Sequence, residues 1–301
     1  MIAITGVSGY IGIHLARFLQ DKNEKLIGII KENTAKEDLD VLDRYSIPYK
    51  KVDFFDHTAL TNALSGATKV VHLIGSIYRP KTISMEELHK NITSTLVMSA
   101  KTNGLKKIVY VSALGSAESA ASDYHKTKSF AEQEIKNSSI PYVILQPSLI
   151  FGKLYGIRNS KIIARLAQSI TKLPFIPIVG DGKNKLQPLF IKDLSRSIYE
   201  SMGDEISNLT IQLGGPQQLA FEDIAKTIAK AVGMDKKPTF HIKKGAARIL
   251  AAVMETLSSQ PKITRDQVKM IGKDNIVTSD LMDRYFTFKK SSLEEKLDKL
   301  V

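Results

Sequence analysis

Met1-Ile-Ala-Ile-Thr-Gly-Val-Ser-Gly-Tyr-Ile-Gly12 is the stretch that decides the fold. Ile2 to Thr5 is an apolar run of the kind expected for a strand buried on both faces. Gly6, Gly9 and Gly12 follow at three-residue spacing. From Ile13 to Gln20 the pattern is helical, with Ile11, Leu15, Phe18 and Leu19 on one apolar stripe. Strand, glycine turn and helix together suit a dinucleotide diphosphate. Gly6 permits the sharp turn, Gly9 keeps side chains away from the phosphates, and Gly12 lets the helix pack against the strand. The helix then presents unpaired N–H donors and a partial positive charge. Ser8, Tyr10 and Ile11 lie in the same turn and join Gly6, Gly9 and Gly12 as candidate cofactor-binding residues.

Up to about residue 150, strand and helix patterns alternate. Further strands are expected at Lys25–Ile30, Tyr49–Val52, Lys69–Leu73, Lys107–Ser112 and Tyr142–Leu145. Helices are expected at His57–Leu64, Glu86–Thr102 and Tyr124–Lys136. Such alternation predicts an α/β fold built on a doubly wound parallel sheet. Beyond residue 150 the rhythm changes, with Pro174, Pro177 and Gly180-Asp-Gly182 marking irregular connections. Helices are predicted at Asn159–Ser169, Lys192–Ser201, Phe221–Val232 (with Gly233 as C-cap), Ala246–Leu257 and Thr264–Ile271. Thr210–Leu213 reads as a late strand rejoining the sheet, and Ser291–Leu300 as a short terminal helix or a frayed end. The expected division is residues 1–150 as a nucleotide-binding domain and 151–301 as a smaller, mostly helical substrate region intertwined with it.

The 301 residues can bury a substantial core. There is no cysteine, which excludes disulfides, thiolate metal sites and cysteine nucleophiles. Met1 leads straight into the first strand and no apolar run approaches a membrane span, so a cytoplasmic protein is expected. The net charge is +12, from 43 basic and 31 acidic residues. Pairs such as Lys50-Lys51, Lys106-Lys107, Lys236-Lys237, Lys243-Lys244 and Lys289-Lys290 read as a solvated surface. The sharper readings are attraction of a phosphorylated cofactor, an acidic substrate or anionic lipid. No basic helix with base-reading residues points to nucleic acid.

The second strand runs into Lys31, where a carboxylate would bind the ribose hydroxyls of NAD and a cation would attract a 2′-phosphate. Lys31, with Lys36, favours NADP(H) over NAD(H), and neighbouring Glu32 keeps NAD open. Asp53 and Phe54, after the third strand, are placed to reach the adenine. Leu73, Ile74 and Gly75 close the fourth strand beside the expected cofactor, and Pro147 ends the sixth.

Tyr124-His-Lys-Thr-Lys128 puts a tyrosine and a lysine on one helix face, a turn apart. An ammonium beside the phenol would lower its pKa and fit Tyr124 for proton transfer with a substrate carbonyl. Lys128 could also hold the nicotinamide ribose, and Ser112 could orient the carbonyl oxygen. Tyr124, Lys128 and Ser112 are therefore the candidate catalytic residues, with Asn91 a candidate for positioning the lysine through water. Tyr285-Phe-Thr-Phe-Lys289 has the same spacing but no preceding strand ending in serine. Asp123 reads as a helix N-cap and Glu132 as a surface charge. The six histidines are scattered, without metal-ligand spacing, so no metal site is expected. No Gly-x-Ser-x-Gly elbow is present.

Thr5-Gly-Val-Ser-Gly-Tyr-Ile-Gly12, Val109-Tyr-Val-Ser-Ala-Leu-Gly115 and Tyr124-x-x-x-Lys128 together resemble the atypical, extended short-chain dehydrogenases of the epimerase/dehydratase kind. Leu145-Gln-Pro-Ser-Leu-Ile-Phe-Gly152, Gly180-Asp-Gly182, Gln187-Pro188, Asp193 and Leu213-Gly-Gly-Pro216 recur in order. Pro261-x-Ile-Thr-Arg-Asp-Gln-Val268 and Asp274-Asn275 are similar to the branch containing the nucleotide-binding accessory subunit of respiratory complex I and its bacterial relatives. The resemblance implies a Rossmann-type domain holding NADP(H), and a structural role in the complex I member. Neighbouring branches reduce or epimerise nucleotide sugars, flavonoids or related carbonyls. Gln146 departs from the arginine usual before the proline of the sixth strand, and is expected to alter a contact near the cleft mouth.

The expected function is an NAD(P)-dependent oxidoreductase or epimerase acting on an unidentified small-molecule carbonyl or alcohol. The alternative is a non-catalytic NADP(H)-binding accessory subunit or sensor. A further reading is peripheral association with a membrane or a respiratory complex. Ala246–Leu257 carries Ile249, Leu250, Val253 and Leu257 beside Lys243, Lys244 and Arg248, although a core helix is the favoured reading of that segment.

Overall fold

The computed structural model describes residues 1–78, 82–153, 155, 161–257, 261 and 263–299. Seven parallel strands form the central sheet: β1 (Ile2–Thr5), β2 (Leu26–Lys31), β3 (Tyr49–Val52), β4 (Lys69–His72), β5 (Lys107–Val111), β6 (Tyr142–Pro147) and β7 (Leu209–Leu213). Their order across the sheet is β7-β6-β5-β4-β1-β2-β3. Thr5 of β1 pairs with Ile29 of β2 on one side and His72 of β4 on the other. The chain thus reverses direction across the sheet at β1, and the crevice beyond the strands' C-terminal ends lies there, where doubly wound folds bind ligands.

Strand parity explains the two layers. Ile2, Ile4, Val71, Val109, Val111, Val143 and Leu145 face one hydrophobic cluster. Ala3, Val70, Ile108, Tyr110 and Ile144, the alternate residues, face the other. The first layer is built on α1 (Tyr10–Asp21), α2 (Lys36–Arg44), α6 (Lys161–Lys172), α7 (Ile191–Glu200) and α8 (Phe221–Ala231). The second is built on α3 (His57–Leu64), α4 (Ile92–Thr102) and α5 (Asp123–Lys136). Beyond them lie α9 (Lys244–Leu257), α10 (Arg265–Met270) and α11 (Leu281–Tyr285).

Several boundaries differ from the sequence expectation for identifiable reasons. The first helix begins at Tyr10, immediately after Gly9, because the glycine turn hands the chain directly into it. The long helix expected over 86–102 is divided into a π turn at Glu87–Asn91 followed by α4. Helix α2 was not expected, because it is short and polar in composition, burying only Asp38, Val41 and Leu42 of its nine residues. The first two residues of the helix expected at Asn159–Ser169 lie outside the described residues, and α6 runs on to Lys172. The terminal segment forms a 3₁₀ turn over Glu294–Lys299, non-helical at Lys296, and Leu300 lies outside the described residues. Lys107 is not a surface charge. It is 2% exposed and donates to the carbonyls of Gly203 and Ile206, tying the loop before β7 to the foot of β5.

Gly12 shows why α1 can sit so low on β1. A β-carbon there would lie 2.5 Å from the carbonyl oxygens of both Gly6 and Val7 and 2.6 Å from Val7 Cα, all backbone atoms that cannot swing aside. Gly12→Ala is expected to lower stability by about 1–3 kcal/mol. Calorimetry should show a Tm several degrees lower, and an unchanged Tm would contradict this packing account.

Candidate functional site

The turn after β1 has the chemistry of an anion cradle. Gly9 is the N-cap of α1, has no side chain to cap it, and is followed by no acidic residue in the first turn. The N–H groups of Tyr10, Ile11 and Gly12 therefore have no helical acceptor and carry the positive end of a twelve-residue helix. A β-carbon at Gly9 would meet only the Gly6 oxygen, at 3.1 Å, so the surface over the turn is open to a ligand. Gly6 has φ +75°, reserved in practice for glycine. Ser8 is buried in the turn. The Tyr10 ring lies edge-on to His14 at 5.2 Å, and its buried hydroxyl has no hydrogen-bond partner among the described residues. This donor set fits the diphosphate of a dinucleotide.

The proposed adenosine end is more mixed. Lys31 is exposed at the end of β2, and the Thr34 hydroxyl donates to its carbonyl at 2.7 Å. Asp53 is exposed, but its carboxylate accepts the Phe55 N–H at 2.9 Å, as in an ordinary turn. Phe54 corrects the sequence reading. Its side chain is 7% exposed and belongs to the core beneath β3, leaving only its backbone for a ligand. The Leu73 and Ile74 side chains likewise pack against the two hydrophobic layers. Pro147 is buried, and its carbonyl accepts the Leu114 N–H at 3.0 Å.

Gly75 and Lys128 meet at the other end of the crevice. Lys128 Nζ donates to the Val111 carbonyl at 2.9 Å and to that of Ile74 at 3.4 Å, and lies 4.5 Å from the centre of the Tyr110 ring. A β-carbon on Gly75 would come within 2.7 Å of this nitrogen and 3.3 Å of His89 Nε2, so glycine is what admits the amine. Burial lowers the Lys128 pKa to about 7, opposed by Glu132. One turn earlier, burial raises the phenol of half-buried Tyr124 to about 12. The expected lowering of the tyrosine by its lysine is therefore absent from this geometry, because the amine is turned to backbone carbonyls of the sheet.

Helix α5 differs from expectation at three positions. Its N-cap is Ser122, whose hydroxyl accepts the His125 N–H at 3.2 Å; Asp123 is already helical. A carboxylate from far along the chain reinforces this end: Asp266 Oδ1 accepts the Asp123 N–H at 2.9 Å and Oδ2 the Tyr124 N–H at 3.3 Å. Glu132, read as a surface charge, is 4% exposed. It accepts a 2.5 Å hydrogen bond from the Ser112 hydroxyl and a 2.8 Å bond from Gln146 Nε2. Gln146 is thus a buried partner of Glu132 rather than a cleft-mouth residue. Parity explains both contacts. Ser112 and Gln146 continue the Tyr110 and Ile144 faces of their strands, which look toward α5.

A second buried chain runs behind Lys128. Thr5 Oγ1 meets His72 Nδ1 at 2.6 Å, and His72 Nε2 meets Thr93 Oγ1 at 3.0 Å. Thr93 donates to the His89 carbonyl, so His72 carries its proton on Nε2 and accepts from Thr5. His89 Nε2 accepts the Ser76 N–H, which leaves Nδ1–H to donate to Thr127 at 2.8 Å. His89, in the π turn, faces the Gly75–Lys128 contact, whereas Asn91 is exposed at the end of that turn. Helical spacing could have revealed Glu132, four residues after Lys128 on the same face. Nothing local in the sequence announces His89 or Asp266. The repeated tyrosine–lysine spacing falls elsewhere, with Tyr285 ending α11 and exposed Lys289 3.8 Å from Glu295. Among the described residues no group of three or more His, Asp or Glu side chains could hold a metal.

Burial holds His72 at about 3 and His89 at about 2, with the Lys128 charge adding to both. The unfolded chain therefore binds protons that the folded chain refuses. Stability contributed by these neutral rings is complete above about 6.5 and falls as pH drops toward 3. Each histidine adds about 1.4 kcal/mol per pH unit to that slope. Urea unfolding between about pH 6 and pH 4 should show a shallower acid decline for His89→Gln than for the parent. Equal slopes would contradict the assignment of His89 as a buried neutral ring.

A seven-stranded parallel sheet with a bare glycine turn at its point of reversal defines a nucleotide-binding α/β protein of the Rossmann type. Residues 2–207 match the NAD dependent epimerase/dehydratase family, and the chain belongs to that family. Its cofactor is accordingly a nicotinamide dinucleotide. The chain is 23% identical over 291 residues to the mitochondrial NADH dehydrogenase [ubiquinone] 1 alpha subcomplex subunit 9 of Arabidopsis thaliana, covering 93% of this chain and 71% of that one. The mouse subunit is 22% identical over 79% of this chain, which spans only 62% of it. The crystal structure of the Bordetella bronchiseptica enzyme WbmH in complex with NAD+ has the same fold, with a TM-score of 0.76 at 18% identity over 99% of this chain and 96% of that one.

Proposed function

We propose that this protein is an NADP(H)-dependent oxidoreductase or epimerase acting on a small-molecule carbonyl or alcohol. The observation that carries the reading is the convergence of Tyr124, Lys128 and Gly75 at the same edge of the sheet as the uncapped α1 N-terminus. The bound nicotinamide supplies or takes a hydride. Tyr124 gives its phenolic proton to the substrate oxygen, or takes one back in the reverse direction. Burial that raises the phenol to about 12 keeps it protonated but makes it a weaker acid, so proton donation depends on stabilising the phenolate that forms. Lys128 would hold ribose hydroxyls and, when charged, stabilise the phenolate once its amine turns from the Val111 and Ile74 carbonyls toward the crevice. Ser112 orients the substrate oxygen only after its hydroxyl turns away from Glu132.

That last commitment supports a second reading, a nucleotide-bound accessory subunit without turnover. The similarity to complex I subunits supports it too, and a place on a respiratory complex or a membrane surface goes with it. Purified protein carrying NADPH should lose its reduced-nicotinamide absorbance with one or more members of a carbonyl panel, and Tyr124→Phe should reduce that rate by about 10²-fold or more. If parent and variant are equally inert while both retain nucleotide, the accessory reading stands and the enzymatic one falls.

The preference for NADP(H) rests on exposed Lys31 at the end of β2. Lys31→Glu should shift the ratio of NADP to NAD affinity toward NAD by about tenfold or more, a change of about 1.4 kcal/mol. Titration calorimetry with both nucleotides reads this directly, and an unchanged ratio would remove Lys31 from the site.

A further inference from the structure

Helix α9 is amphipathic in the wrong sense for a core helix. Its inward face is made of small residues, Ala247 and Ala251, packed with Val268, Val179, Ile242 and Ile263. Its large apolar residues point outward: Ile249 is 69% exposed, Leu250 45%, Val253 49% and Leu257 82%. At 3.6 residues per turn these four occupy an arc of about 100°. The expectation of a core helix over this segment is thereby overturned. A contiguous stripe of four large aliphatic side chains in water calls for a partner.

The charges around the stripe indicate which partner. Lys243 and Arg248 are exposed at the N-terminal end of the helix and make no ion pair among the described residues. Lys244 begins the helix and reaches over Gly272. Glu255, the helix's one carboxylate, is engaged by Arg265 at 2.6 Å. The whole chain carries +12, so a second copy would bring like charge to the same face. An anionic surface with an apolar interior matches both the stripe and its basic border.

We propose that α9 docks this protein on an anionic phospholipid bilayer. Ile249, Leu250, Val253 and Leu257 enter the acyl boundary, while Lys243 and Arg248 meet the headgroups. No helix among the described residues is long and apolar enough to cross a membrane, and the proposed contact is made along the exposed face of α9. The proposal stands apart from the nucleotide site and does not depend on turnover there.

Flotation of the full chain with vesicles of phosphatidylcholine alone, and of phosphatidylcholine with phosphatidylglycerol, tests it. The parent should float with the anionic vesicles and not with the neutral ones. Ile249→Glu combined with Val253→Glu should weaken binding by about tenfold or more, and Lys243→Glu with Arg248→Glu should do the same. All four positions are exposed, so thermal stability and nucleotide affinity should stay at parental values in both variants. Failure to bind anionic vesicles would overturn the proposal. So would binding undiminished by Ile249→Glu with Val253→Glu, which would reduce it to diffuse attraction by a basic surface. A parental dimer that becomes monomeric in that variant, without vesicle binding, would assign the stripe to a second copy instead.

Discussion

The amine of Lys128 occupies the point where the C-terminal ends of β4 and β5 part. It is held there by two backbone carbonyls and an aromatic face, and the bare Cα of Gly75 leaves it room. The surrounding residues accommodate that placement. His72 and His89 stay neutral beside it, fixed in one tautomer each by threonines and main-chain groups. Tyr110 lies beneath it, and Glu132 is one helical turn further along α5. Burial there lowers the amine's pKa to about 7, while the neutral acceptors and the Glu132 carboxylate favour its charged form.

The same region shows how α5 divides its labour. Tyr124, Lys128 and Glu132 are spaced four apart on one stripe. The first is half-buried at the crevice, the second lies at the strand ends, and the third is deep against β5 and β6. Glu132 binds Ser112 of one connection and Gln146 of one strand, so a single carboxylate spans two neighbouring segments of the sheet. The serine hydroxyl is consequently part of the framework in this geometry, and its availability to a substrate depends on breaking a charge-assisted hydrogen bond.

Much of the architecture was legible from local pattern. The strands β1 and β3 and the helix α3 lie at the residues where the strand–helix alternation and punctuation put them; β3 buries only Val52, while β1 and α3 carry apolar patterns of their own. Helix α2 was invisible for the opposite reason, its contact with the core being so slight. At the site, the glycine turn and the Tyr124–Lys128 spacing are short-range signals. What one sequence could not supply was the partner across space. The capping of α5 by Asp266 joins positions 143 residues apart, and the inversion of α9 follows from where its alanines find neighbours rather than from its own periodicity.

The Asp266 carboxylate has an electrostatic consequence for whatever enters the crevice. The helices that follow β1, β2, β3 and β5 all begin toward the sheet's C-terminal edge, each offering a positive dipole end, which α2 meets with Glu37 and Asp38 in its first turn and α3 with the Asp56 cap. At α5 that attraction is already neutralised by a carboxylate of the chain itself. At α1 the capping residue is a glycine with nothing to offer. Of these four ends, the one at α1 alone has neither a side-chain cap nor an acidic residue in its first turn to take an anion's place. Such an asymmetry favours one direction for an elongated polyanion along the crevice before any side chain discriminates among its parts.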